Sequence, residues 1–99
     1  IITNVNPSDG LSGDTLTLNI SLNGNTRPPL PPQQIQPRSV SVGTIDLNNL
    51  TRPSRTTIRG TLKIPKNAQK GTKGITIIFP GPPGVNNVTF TGEDKFEIK

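Results

Sequence analysis

The chain contains no cysteine, histidine, methionine, tryptophan or tyrosine. Without cysteine there is no disulfide, thiolate nucleophile or thiolate metal site, and cysteine usage says nothing about the redox compartment. Without histidine the commonest general base and the commonest transition-metal ligand are also missing. Phe79, Phe90 and Phe96 are the only aromatic residues, and Ala68 is the single alanine against thirteen threonines. That bias toward β-branched side chains, which keep more freedom on a pleated strand than in a helix, excludes a helical body. No apolar run approaches the roughly 20 residues that span a bilayer, and no basic-then-apolar leader opens the chain.

What is present fits one small domain over residues 1–99. Only 28% of the residues are apolar, so the core has to be thin and aliphatic, a requirement that two facing sheets meet. Period-two alternation is clearest at Thr15-Leu16-Thr17-Leu18-Asn19-Ile20-Ser21-Leu22, a strand with one apolar and one polar side. It recurs at 57–64, with Ile58, Gly60, Leu62 and Ile64 inward and Arg59, Thr61 and Lys63 outward. Gly60 in that row marks a bulge or a close approach of another element. Ile75, Ile77 and Phe79 form a third inward row, and Val40, Val42, Phe96 and Ile98 belong to shorter ones. The expectation is an all-β, immunoglobulin-like antiparallel sandwich of seven or eight strands.

Turn residues separate these rows at Pro7-Ser8-Asp9-Gly10, Asn23-Gly24-Asn25, Asn48-Asn49, Pro80-Gly81-Pro82-Pro83-Gly84 and Thr91-Gly92-Glu93-Asp94. Ile64-Pro65-Lys66-Asn67-Ala68, leading to Gly71, reads as a one-turn corner between two strands. Arg27-Pro28-Pro29-Leu30-Pro31-Pro32 reads as an extended polyproline segment on a loop, because proline fixes φ and donates no ladder hydrogen bond. A strand pattern beginning at position 2, with no initiating methionine, predicts a domain lying within a longer polypeptide.

On these residues the chain resembles the IPT/TIG family of immunoglobulin-like modules. The likeness runs through Ile2, Val5 and Pro7, then Gly13-Asp14-Thr15-Leu16-Thr17-Leu18, Val40-Ser41-Val42-Gly43, the corner at 64–71, and Phe96-Glu97-Ile98. Two departures are the proline-rich stretch 26–37 and the loop Phe79-Pro80-Gly81-Pro82-Pro83-Gly84. The resemblance implies a non-catalytic spacer, stalk or interaction domain of a larger bacterial secreted or cell-surface protein. Its partners would then be neighbouring domains of the same polypeptide, and its location extracytoplasmic.

Candidate sites are few, and each has a plainer reading. The loops at 26–37 and 80–86 could contact a carbohydrate or a protein, through Arg27, Pro29, Leu30, Pro32, Pro80, Pro82 and Pro83. Leu30 breaks the Arg-x-x-Pro-x-x-Pro spacing of an SH3 ligand, and a stiff loop is the plainer reading. Arg52, Arg55, Arg59 and Lys63 could form an anion-binding strand face in a chain of net charge +5. Such residues also serve simply as solvated surface.

Of the six carboxylates, Asp9 and Asp14 read as turn caps. Glu93 and Asp94 are a calcium alternative, joined by Asp46 or Asp9 only if the fold gathers them, and their spacing fits no EF-hand. Glu97 completes the set. The three sequons Asn19-Ile20-Ser21, Asn49-Leu50-Thr51 and Asn87-Val88-Thr89 decide nothing in a chain this rich in Asn and Thr. Nucleic acid is disfavoured for want of aromatic stacking platforms. No cofactor, metal, catalytic residue or membrane insertion is expected, and the isolated domain is expected to be a monomer.

Overall fold

Alternating apolar residues align into two sheets that share one aliphatic interior. The computed structural model describes residues 2–24, 30–81, 84 and 86–99, with Asp94 described through its backbone only. Among these residues there is no helix, and nine strands follow in order. They are β1 (Ile2–Asn6), β2 (Asp9–Gly10), β3 (Thr15–Leu22), β4 (Ser39–Val42), β5 (Ile45–Asp46), β6 (Asn48–Ser54), β7 (Thr57–Lys63), β8 (Gly71–Phe79) and β9 (Val88–Ile98). One sheet has the order β1-β3-β7-β6 and the other β2-β9-β8-β4-β5. Leu18, Ile20, Ile58 and Leu62 of the first sheet and Val40, Val42, Ile75, Ile77, Phe79, Phe96 and Ile98 of the second are all buried in one cluster.

The corner at 64–71 carries the chain from β7 in one sheet to β8 in the other. Ala68 N donates to Pro65 O at 3.1 Å, and Gly71 takes φ +125°, a backbone conformation side-chain-bearing residues rarely adopt. A second chain reversal locks against this corner. Asp14 N donates to Leu11 O, Leu11 N donates to Asp14 Oδ2, and Gly13 N and Ile64 O pair at 2.9 Å. Asp14 therefore caps its own turn, as its position after Gly13 predicts. Asp9 does not; its carboxylate faces Lys99 Nζ at 3.2 Å on the surface.

Two strands run where turns were expected. The strand β6 includes both Asn48-Asn49 and Pro53. It survives because it is an edge strand, where a missing N–H costs no ladder bond, and its register with β7 is irregular around Asn49, at φ +54°. Likewise β9 continues through Thr91-Gly92-Glu93-Asp94. The register passes from Ile75 opposite Gly92 to Lys73 opposite Phe96, so the extra residues of β9 are absorbed as a bulge within the strand. At Gly60 the close approach predicted from the sequence is Leu47 and Leu50, whose Cδ2 atoms each lie 2.9 Å from where a Cβ would stand.

The register defines two poles. Ile2 pairs with Leu22, and Phe79 with Val88, at the first pole. At the second, Thr15 pairs with Lys63, Gly71 with Ile98, and Lys99 N donates to Gly10 O. Gly10 lies against Leu16 and Ile64. Ile2 and Lys99 are thus separated along the sandwich by about 20 Å measured on β3 from Leu16 to Leu22, and by about 13 Å measured on β8 from Ile75, whose partner Gly92 lies against Ile2, to Gly71, at a strand rise of about 3.3 Å per residue.

Candidate functional site

At the first pole the described part of the proline-rich stretch, 30–37, packs against the sandwich instead of standing clear of it. Leu30, expected as a contact residue, is 5% exposed and belongs to the core, and Ile35 packs against that core. Arg38 N donates to Ile78 O at 2.6 Å, which ties the end of the segment to β8. Proline adds a carbonyl without an N–H, so such a path holds more acceptors than donors; Ile35 N serves Pro32 O at 2.9 Å, and the remaining carbonyls need another donor.

Arg52 is that donor. It was expected on an exposed anion-binding face, but it is 4% exposed and points inward from β6. Its Nη2 donates to Pro31 O at 2.6 Å and to Arg55 O at 2.8 Å; its Nη1 donates to Ile35 O at 2.8 Å and to Pro32 O. The guanidinium carbon lies 4.8 Å from the centroid of the Phe79 ring, which meets Phe90 edge-on at 5.9 Å. Gln33 adds Nε2 contacts to the carbonyls of Arg52 and Pro53. Burial, and secondarily the charge of Arg55, push the guanidinium below its ordinary pKa. The carbonyls offset that cost, although Arg52 Nε has no partner among the described residues. A bound anion would have to displace those carbonyls, so Arg52 belongs to the scaffold.

The other three cations expected on that face, Arg55, Arg59 and Lys63, are exposed. Arg59 Nε donates to Asn19 Oδ1 at 2.8 Å across the β3/β7 ladder. None of the four strands on this sheet carries an acidic residue, so its outer surface is polar and positive. Of the residues proposed for the two loops, Pro32 is exposed and Pro80 half-buried, while Arg27, Pro29, Pro82 and Pro83 lie outside the described residues. The described parts of the two loops, 30–37 and 80–81, share a pole, because Arg52 contacts both 31–35 and Phe79.

The carboxylates are dispersed. Asp46 on β5 is separated from β9 by β4 and β8, and Asp9 stands opposite Glu97 rather than Glu93. Among the described residues no group of three or more His, Cys, Asp or Glu is placed to hold a metal ion. Nor, among them, is any helix long and apolar enough to cross a membrane.

The second pole holds a feature that sequence reasoning passed over. A groove of about 300 Å³ opens between the β4–β5 turn and the 64–71 corner. Val42, Ile45, Pro65, Ala68 and Ile98 supply its apolar surface, and Thr44, Asn67, Gln69 and Lys73 its polar groups. Residues directly opposite in an antiparallel pair share a face, so Lys73, paired with buried Phe96, stands on the core side of β8. Its stem lies along Gly43, whose lack of a side chain leaves room for it. The signal was in the sequence: 73 has the parity of the inward row 75, 77 and 79. Comparison with family models, curated proteins and solved structures finds no match to this chain.

Proposed function

We propose that this chain is an immunoglobulin-like module of the IPT/TIG kind, acting as a non-catalytic spacer within a larger bacterial secreted or cell-surface protein. The observation that carries the reading is the separation of the chain's two ends: Lys99 leaves at the second pole, while Ile2 enters away from it, beside Leu22 and Gly92, in a body 39 Å long and 21 to 22 Å across. Flanking chain would leave at the two ends, and the intervening β-body would hold its neighbours apart. The strand order supports the immunoglobulin-like part. One sheet pairs the first, second, fifth and fourth strands of the A-B-E-D arrangement, and the other carries G-F-C with a short added strand at each edge. The test replaces residues 1–99 in the parent polypeptide with a flexible Gly-Ser link of equal residue count. A spacer requires that the link fail and that an unrelated sandwich of similar length restore function. Full function with the flexible link, or turnover by the isolated domain, would overturn the reading.

A second reading, a protein- or carbohydrate-binding module, is favoured by one observation. The segment 30–37 is already pinned by Arg52 and shares its pole with Pro80, so less ordering entropy would be lost on binding. Attachment of the parent protein that persists after 31–34 and 80–81 are replaced by Gly and Ser would eliminate it.

A further inference from the structure

The groove at the second pole combines three kinds of surface that no single simple ion or lipid would use. Its accessible apolar surface, the floor, comes from Ile45, Pro65 and Ala68, while the lining residues Val42 and Ile98 are almost fully buried. Its rim offers groups that both donate and accept, the amides of Asn67 and Gln69 and the hydroxyl of Thr44. Its cation is Lys73, whose ammonium has no hydrogen bond or ion pair among the described residues. Among the described residues no carboxylate lines it; Lys66 and Lys70 stand exposed on the same corner, and the nearest acidic residues in sequence, Asp46 and Glu97, follow Ile45 and precede Ile98 outside the lining.

A bare phosphate would leave the aliphatic floor in water. A fatty acid would leave the amides without partners, and an extended acyl chain would overrun a groove at the lower end of ligand-pocket sizes. We propose that this groove binds a hexuronate, free or as the terminal unit of an acidic glycan. The carboxylate would meet Lys73, the ring hydroxyls would meet Asn67, Gln69 and Thr44, and one C–H face would lie on the aliphatic floor. The site is independent of the spacer reading, and lies at the pole away from the proline-rich segment.

The test is titration of the ¹⁵N-labelled chain with glucuronate and galacturonate, with glucose, acetate and inorganic phosphate as comparators, read by amide shifts. Saturable shifts confined to Gly43, Thr44, 67–69 and Lys73 are expected with a hexuronate and not with glucose or acetate. Lys73→Met keeps the stem on Gly43 and removes the charge; it should weaken binding about tenfold. Gln69→Ala, at an exposed position outside the core, should weaken it several-fold without touching the fold. The proposal fails if no hexuronate produces saturable shifts. It fails equally if acetate or phosphate matches the hexuronate, which would mean a bare anion site, or if glucose matches it. Unchanged affinity in both variants would also overturn it.

Discussion

Each pole of this sandwich draws one cation to the core side of a strand, and the two are treated oppositely. At the first pole Arg52 is closed over by residues 30–35, its two Nη atoms bonded to four backbone carbonyls and its plane near Phe79. At the second Lys73 borders an open groove with no partner among the described residues. The difference follows from side-chain chemistry and from what each neighbouring loop offers. A proline-rich loop presents acceptors without matching N–H donors, and a guanidinium fork can satisfy several of them at once. At the second pole no such loop closes over the lysine, and an ammonium on a flexible stem stays near water. A buried cation here is an adhesive for a loop; a half-exposed one is left available to a ligand.

The largest effects are expected at the closed pole. Phe79→Ala removes the ring beneath Arg52 and the edge-on partner of Phe90 together, and should cost about 3 to 5 kcal/mol in urea unfolding. Leu18→Ala and Ile77→Ala, in the shared interior, should cost about 2 to 5 kcal/mol by the same measurement. If Phe79→Ala proves no worse than a surface change, the closed pole is not part of the cooperative core.

Arg52→Met keeps the length but removes one donor from each of four carbonyls, of which Pro32 O retains Ile35 N, and should cost about 2 to 4 kcal/mol. Hydrogen exchange sharpens this: amides at 33–36 and 38 should exchange faster in Arg52→Met, with those of β3 following only the global change. Unaltered exchange at Ile35 would show that the loop holds without the guanidinium. Gly60→Ala drives a Cβ into Leu47 and Leu50 at 2.9 Å and should cost about 1 to 3 kcal/mol in chemical denaturation.

Effects shrink toward the second pole. Gly71→Ala meets no atom within 4 Å, so its cost is that of the positive φ alone, about 1 kcal/mol in the same assay. Lys73→Met should change stability by less than about 0.5 kcal/mol, because it breaks no bond seen among the described residues. A loss comparable with Arg52→Met would erase the contrast between the poles.

Much of the interior was legible from alternation. The row Leu18, Ile20, Leu22 and the row Ile58, Leu62, Ile64 are buried as their spacing predicts, because a strand sends successive side chains to opposite faces whatever it later packs against. The Asp14 cap and the corner before Gly71 were legible for a similar reason, since both are closed by contacts within a few residues. The strand β6 was not: Asn49 and Pro53 are turn residues by composition, and only an edge position with irregular pairing makes a strand of them. Nor did Gly92 and Asp94 announce that β9 runs through them, since a bulge is set by the partner strand's register.

The linear order of residues determined by itself an all-β chain, the inward rows and the chemistry left out for want of cysteine and histidine. Tertiary structure alone decided which of the two sheets each row joins, that Leu30 and Arg52 go inside, and that Lys73 borders a groove. Local backbone preference and alternation act over a few residues and can be read one segment at a time. The fate of a charged side chain depends on acceptors contributed by segments about 20 positions away, which meet it only once both sheets have closed.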